Sequence, residues 1–259
     1  MKIIDFHTHP IFFGEGTKPG ETAAKVKRAR ALGIERMVAL GDVLRYGRVP
    51  DATQSRTLND EMAMVAQRDS DFWIPLCGLN PLLGEKLVRE EVDRCVGGMG
   101  FRGLKLEISC NARDAAMKPV MEAARHYGVP VLQHSWSQTN IKERRFHSDP
   151  EDTAELARRW PDVTVIMAHL TGCGYRGVRA ARGLDNLFID TSGAAPEAGL
   201  VEYAVEEIGA HRVLYGSDAP IRDLPVAIGR ITGAAITARA KRALLFENAN
   251  QLLAKGGRV

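Results

Sequence analysis

Two histidines, His7 and His9, stand two residues apart directly after the apolar run Ile3-Ile4-Asp5-Phe6. In a strand, residues two apart project to the same face. Both imidazoles can then hold one metal ion, as two histidines at i and i+4 do on a helix. A His-x-His alone is a weak signal, so the rest of the chain decides its weight. His134 and His169 each end an apolar run, Val131-Leu132-Gln133 and Val165-Ile166-Met167-Ala168. Singly, either reads as a satisfied histidine at a strand end. Glu107 closes Leu104-Lys105-Leu106, and Asp218 stands in Gly216-Ser217-Asp218, where it also makes good turn chemistry ahead of Pro220. Four imidazoles with carboxylates at strand ends form a ligand set suited to zinc and neighbouring divalent metals. Asp218 has a second job open to it: accepting a proton from water, whose pKa a bound metal lowers from about 16 to about 7.

These residues converge only if the fold brings strand ends together. Short apolar runs at Lys2–Phe6, Glu35–Leu40, Trp73–Leu79, Phe101–Glu107, Val129–His134, Val163–His169, Leu187–Asp190 and Val213–Gly216 read as buried parallel strands. Helical spacing fills the intervals at Glu21–Leu32, Asn59–Arg68, Glu85–Cys95, Ala115–Tyr127, Pro150–Arg159 and Glu197–Ile208, with closing helices over Ile221–Ile231 and Ala235–Leu253. Tyr175–Arg182 is short for a crossover helix. Gly33 and Gly128 fit helix C′ positions, and Asp149-Pro150-Glu151-Asp152 fits a helix start. Eight strand-then-helix units predict an α/β fold, a (β/α)8 TIM barrel formed as one domain over residues 1–259. An open doubly wound sheet would bring a glycine fingerprint after its first strand, and His7-Thr8-His9-Pro10 stands there instead.

The barrel puts chemistry at the C-terminal strand ends. Loops 11–20, 41–57 and 135–149 then surround the site, and Trp136, Arg145, His147, Tyr175 and Arg176 are candidates to contact a carboxylate-bearing, partly apolar substrate. Arg45 and Tyr46 are weaker candidates. Solvated charge explains each of these cations singly. His126 suits a helix C-terminus, His211 lies on the opposite, stability face, and Cys173 has no base placed to activate it.

Ile-Asp-Phe-His-Thr-His at the start, Met-Ala-His before residue 170, Tyr-Gly-Ser-Asp-Ala-Pro and the late Glu-Asn-Ala-Asn-Gln-Leu-Leu resemble the metal-dependent amidohydrolase superfamily. The closest resemblance is to its amidohydrolase 2 branch, which includes aminocarboxymuconate-semialdehyde decarboxylase-like proteins. The resemblance implies metal ligation by His7, His9 and His134, with Asp218 as ligand and proton shuttle. It implies that His169 is either a ligand to a second metal or a metal-adjacent catalytic group. Two-metal members bridge their ions with a strand-three or strand-four carboxylate or carboxylated lysine, a place that Glu107 could fill in preference to Lys105. One or two divalent ions, zinc first, are therefore expected.

The leading expectation is a hydrolase that uses metal-activated water to cleave an amide, ester or lactone bond of a small substrate. A one-metal, non-oxidative decarboxylase is the alternative, and a non-catalytic metal- or ligand-binding barrel is a third reading. With 259 residues, 45% hydrophobic, and a net charge of +3 without a basic stripe, neither disorder nor a nucleic-acid partner is indicated. No apolar run of about 18 residues predicts a membrane span. The opening residues reach Asp5 and His7 too early for a signal peptide, and Cys77, Cys95, Cys110 and Cys173 form no CxxC pair. A cytoplasmic protein with reduced thiols is expected, and a homo-oligomer is left open.

Overall fold

The computed structural model describes residues 1–12, 19–42, 45–137, 140–194 and 197–255. Strands and helices alternate in the order β1 (Ile3–Thr8), α1 (Pro19–Ala31), β2 (Ile34–Ala39), α2 (Ala52–Arg68), β3 (Trp73–Pro75), β4 (Cys77–Leu79), α3 (Glu85–Val92), β5 (Leu104–Leu106), α4 (Met117–Tyr127) and β6 (Val131–Gln133). They continue with α5 (Pro150–Arg159), β7 (Val165–Met167), α6 (Leu170–Ala180), β8 (Leu187–Asp190), α7 (Leu200–Ile208), β9 (Val213–Leu214), α8 (Leu224–Thr232), α9 (Ala238–Arg242) and α10 (Asn248–Lys255). All ladders are parallel, running β1-β2-β3 and β4-β5-β6-β7-β8-β9.

The expected strand Trp73–Leu79 is thus two pieces. Pro75 has no N–H to give a ladder, and the run hands its pairing over across Leu76: Leu76 N donates to Ala39 O, and Cys77 N to Gly103 O. Counted as one run, it completes eight barrel strands. Strand ends also fall short of their apolar runs. His134 and His169 lie just beyond β6 and β7, and β9 stops at Leu214. Helix α6 corrects the expected short segment at Tyr175–Arg182: it starts at Leu170, immediately after His169, and kinks at Gly174 (φ 60°). Helix α7 starts at Leu200, later than the expected Glu197.

The barrel closes between the first strand and the segment after the last. Phe6 N donates to Tyr215 O (2.8 Å), Asp218 N to His7 O (2.8 Å) and His9 N to Ala219 O (2.7 Å). Inside, Ile4, Phe6, Val38, Leu40, Ile74, Leu76, Leu132, Ile166 and Leu214 pack together, with Ala249, Leu252 and Leu253 of α10 against them. A second core lies between strands and helices. Among the described residues no helix is long and apolar enough to cross a membrane. All four cysteines are free and buried.

Asp5 is wholly buried, and its Oδ1 accepts from His7 N (3.2 Å) and Ser217 N (2.9 Å). Burial pushes its carboxyl up to about 7 from 3.8, against the pull of those hydrogen bonds. The folded protein therefore keeps a proton between pH 4 and 7 that the unfolded chain has lost. The stabilisation is full below the unfolded value and disappears as pH rises through about 7. Asp5→Asn cannot ionise, so the free energy of unfolding of metal-free D5N should gain on the parent by about 2–4 kcal/mol between pH 4 and pH 8. Denaturant unfolding at each pH measures this difference, and parallel pH curves for the two proteins would contradict it.

Candidate metal and active site

Sequence alternation alone would not aim His7 and His9 at the site. Ile4 and Phe6 face the barrel interior, so strict alternation would send the odd-numbered histidines the other way. The pairing of β1 with β2 slips between Asp5 and Thr8, and irregularities of this kind re-aim side chains at a barrel rim. His7 Nε2 lies 3.7 Å and His9 Nε2 3.8 Å from Asp218 Oδ1. Ligand atoms about 2.1 Å from a tetrahedral ion are about 3.4 Å apart, so the three atoms match the span of one cation. All three residues are buried.

Each ring is held from behind. His9 Nδ1 donates to Gly41 O (2.9 Å), and His7 Nδ1 lies 2.9 Å from Asp190 Oδ2. Both Nε2 lone pairs are thereby turned towards Asp218, the arrangement in which metal-binding histidines are held elsewhere. Asp190 was not among the expected site residues. It ends β8 as His134 and His169 end their apolar runs, and a carboxylate at a barrel strand's C-terminal end was the available signal. A side chain at Gly216 would crowd the site, since a Cβ there would stand 3.0 Å from His7 Cβ and 3.2 Å from Asp190 Oδ1.

A second group, His7, His169 and Asp190, also has its ligand atoms close together. Asp190 is already committed, however. Its Oδ1 accepts from His169 N (3.2 Å), Ser192 N (2.9 Å) and the Ser192 hydroxyl, while Oδ2 faces His7 Nδ1. This carboxylate positions its neighbours. The group with Asp218 is the better cation site.

His169 Nε2 lies 3.2 Å from His134 Nδ1, and its ring centroid is 4.8 Å from that of His7. Trp136 borders His169 at 5.5 Å between centroids, and its ring rests on Gly172, where a Cβ would approach it to 2.4 Å. Glu107 does not join either three-ligand group among the described residues. Its Oε1 is 3.3 Å from the buried Lys105 Nζ, and its Oε2 is 3.8 Å from His134 Nδ1. Lys105 thus forms an interior ion pair with Glu107.

The other expected contacts separate into two kinds. Trp136 is at the site, and His147 is near enough for its charge to bear on His134. Arg176 pairs with Asp149 (3.0 Å) and Glu151 (2.7 Å), Tyr175 packs at a tilt against Tyr203 and donates to Ala198 O, and Arg145 lies over Phe146. Their partners belong to α5, α7 and the loop itself and not to the histidine cluster, because local acids and rings outcompete the barrel mouth. Arg45 likewise pairs with Glu61. Of the three loops, residues 13–18, 43–44 and 138–139 lie outside the described residues.

Two features mark the site as strained and desolvated. His169 (φ 71°) and Asp218 (φ 65°) are the non-glycine residues with left-handed backbone among those described, a conformation costing on the order of 1 kcal/mol or more. Burial holds His7, His9, His134 and His169 below the ordinary imidazole range, so they are neutral and able to donate lone pairs. Burial, and then the charge of Asp190, pushes the Asp218 carboxyl up to about 7.

A family model described as amidohydrolase matches residues 4–255. Among solved structures, 2,6-dihydroxybenzoate decarboxylase in complex with 2,6-dihydroxybenzoate is 19% identical, with a TM-score of 0.78 and coverage of 98% of this chain and 99% of that one. Dihydroxybenzoic acid decarboxylase from a Polaromonas species, with manganese and the inhibitor 2-nitroresorcinol bound, is 16% identical (TM-score 0.76; 98% and 97% covered). 5-Carboxyvanillate decarboxylase from Sphingomonas paucimobilis is 15% identical (TM-score 0.74; 98% and 99% covered). At these identities the likeness establishes the barrel. No curated protein matches the sequence.

A cation beside Asp218 favours its charged form. Binding of Mn(II), which acidifies its bound water far less than Zn(II) does, should therefore release about one proton at pH 6, falling towards zero by pH 8.5 because the imidazoles are already neutral. Titration calorimetry in buffers of different ionisation enthalpy reads this release directly. Equal proton release at both pH values would contradict the assignment.

Proposed function

The chain belongs to the amidohydrolase family, and from that premise we propose that it is a one-metal, non-oxidative decarboxylase of a small aromatic or muconate-like carboxylic acid. The observation that carries this reading is the three-ligand group His7, His9 and Asp218, of which His169 is not a member, while the carboxylate of the other group, Asp190, is taken up by His169 N, Ser192 and His7. Glu107, the residue that would bridge a second ion, is turned to Lys105.

The donor set fits a divalent ion: two lone pairs and a carboxylate oxygen, buried, with no proton donor among the converging atoms. His134, linked to the cluster through His169, would add a further ligand. Zinc and manganese both suit nitrogen and oxygen donors of this kind. When bound, such an ion supplies Lewis acidity and anchors an anionic oxygen of the substrate.

The remaining chemistry belongs to the protein. In decarboxylation the bond from the substrate carbon to its carboxylate breaks, carbon dioxide leaves, and the electron pair left on that carbon takes a proton. Asp218 is the group placed to deliver it, as the neutral acid formed once it takes up the proton that the substrate's hydroxyl or carboxyl group gives up. His169 manages the proton of the substrate's neighbouring hydroxyl or carboxyl group, and Trp136 supplies an apolar wall beside it. The left-handed backbone at His169 and Asp218 presents both side chains to one mouth.

A second reading, hydrolysis of an amide, ester or lactone, uses the same residues with Asp218 as the base for water. The neutral imidazoles and the raised Asp218 carboxyl favour it equally, and the decarboxylase resemblance decides the order.

Manganese- or zinc-loaded protein should release carbon dioxide from a panel of 2,6-dihydroxybenzoate and related hydroxybenzoates or muconate-like acids. Asp218→Asn and His169→Asn should each reduce kcat about 10²–10⁴-fold, with His169→Asn retaining its metal. Turnover of lactones or esters without carbon dioxide release would overturn the decarboxylase reading in favour of the hydrolase.

A further inference from the structure

Ser192 lies two residues beyond β8, and its hydroxyl touches three groups. It donates to Asp190 Oδ1, lies 2.8 Å from His169 Nδ1, and lies 3.3 Å from His7 Nδ1. Ser192 is wholly buried, as is Asp190. A hydroxyl has one proton and two lone pairs, and a carboxylate only accepts.

These rules leave little freedom. The proton of Ser192 is committed to Asp190, so Ser192 Oγ can only accept from His169. His169 must therefore carry its proton on Nδ1 and present a bare Nε2. The atom facing that Nε2, His134 Nδ1 at 3.2 Å, must then be the donor. His134 in turn is left with a bare Nε2. His7 Nδ1 donates to Asp190 Oδ2, and His9 Nδ1 to Gly41 O, an acceptor with no proton to give.

We infer that Ser192 is a positioning residue: with Asp190 it sets one tautomer, Nδ1–H, along His7, His169 and His134. One buried carboxylate thereby reaches two candidate ligands, His7 directly and His134 through Ser192 and His169. His7 and His9 thereby turn lone pairs, and no N–H, towards Asp218, and His134 keeps a bare Nε2 with which to serve as a ligand. Losing the serine hydroxyl frees His169 to flip to Nε2–H. Its contact with His134 would then be donor against donor until His134 also changes tautomer. That change protonates His134 Nε2, the lone pair it would otherwise offer a cation.

This inference rests on the reading of His7, His9 and His134 as ligands, but tautomers are observable without substrate or turnover. The test is side-chain nitrogen NMR of full-length protein labelled with ¹⁵N-histidine at pH 8, metal-free and loaded with Zn(II). Expected are Nδ1–H signals for His7, His9, His134 and His169 in the parent. In Ser192→Ala the signals of His169 and His134 should move to the other tautomer or to a mixture. Those of His7 and His9 should stay, and zinc should bind about 10–100-fold more weakly. Ser192→Thr, which keeps a hydroxyl, should preserve the parent pattern. An Nε2–H on His169 or His134 in the parent overturns the inference without recourse to any variant, as does an S192A spectrum identical to the parent's. A protein with the expected tautomers that releases no carbon dioxide from any acid would leave this inference standing and remove only the proposed reaction.

Discussion

Closure of the barrel is the constraint on which the site depends. Three backbone hydrogen bonds, Phe6 N to Tyr215 O, Asp218 N to His7 O and His9 N to Ala219 O, join the first strand to the segment that follows the last. Ser217 N and Asp5 Oδ1 add a fourth link, between residues 212 positions apart in sequence. Without these bonds a histidine pair near one end of the chain and an aspartate near the other would share no surface. With them, the separations among three ligand atoms follow from strand geometry. The rigid floor is an apolar interior in which Phe6, Leu132, Ile166 and Leu214 are fully buried.

Burial then dictates the chemistry of what closure assembles. Removing imidazoles from water favours their neutral forms, the forms that bind metals. Removing Asp218 from water works against its charge, and Asp190 adds to the effect. Carboxylates gathered among neutral rings leave an electrostatic deficit that a divalent cation would relieve. The left-handed backbone of His169 and Asp218 fits the same picture. Each is held by a hydrogen bond from its own backbone N–H, His169 to Asp190 Oδ1 and Asp218 to His7 O. Strain of this kind persists where the surroundings over-determine it.

The barrel and most of the cluster were legible in the sequence because both leave one-dimensional traces. Apolar runs alternating with helical spacing specify the architecture, and a histidine ending such a run, as at His134 or His169, is a polar residue out of place. What escaped reading depends on partners chosen in three dimensions. Asp190 looks like an ordinary strand end until His7, His169 and Ser192 are seen to share it. Ser192 carries no signal beyond its closeness to Asp190 in sequence. The turn of His7 and His9 to the rim comes with a register slip in β1 that simple alternation does not contain. Glu107 could be read as a bridge only while the reach of Lys105 was unknown. Arg176 and Tyr175 looked available because Asp149, Glu151 and Tyr203, which engage them, belong to other elements.

Convergence on a single cation is best tested by anomalous diffraction from crystals of manganese- or zinc-loaded protein, recorded at the metal's absorption edge. One peak is expected within about 2.3 Å of His7 Nε2, His9 Nε2 and Asp218 Oδ1. An anomalous peak between Glu107 and His169, or none beside the His7–His9 pair, would contradict the account.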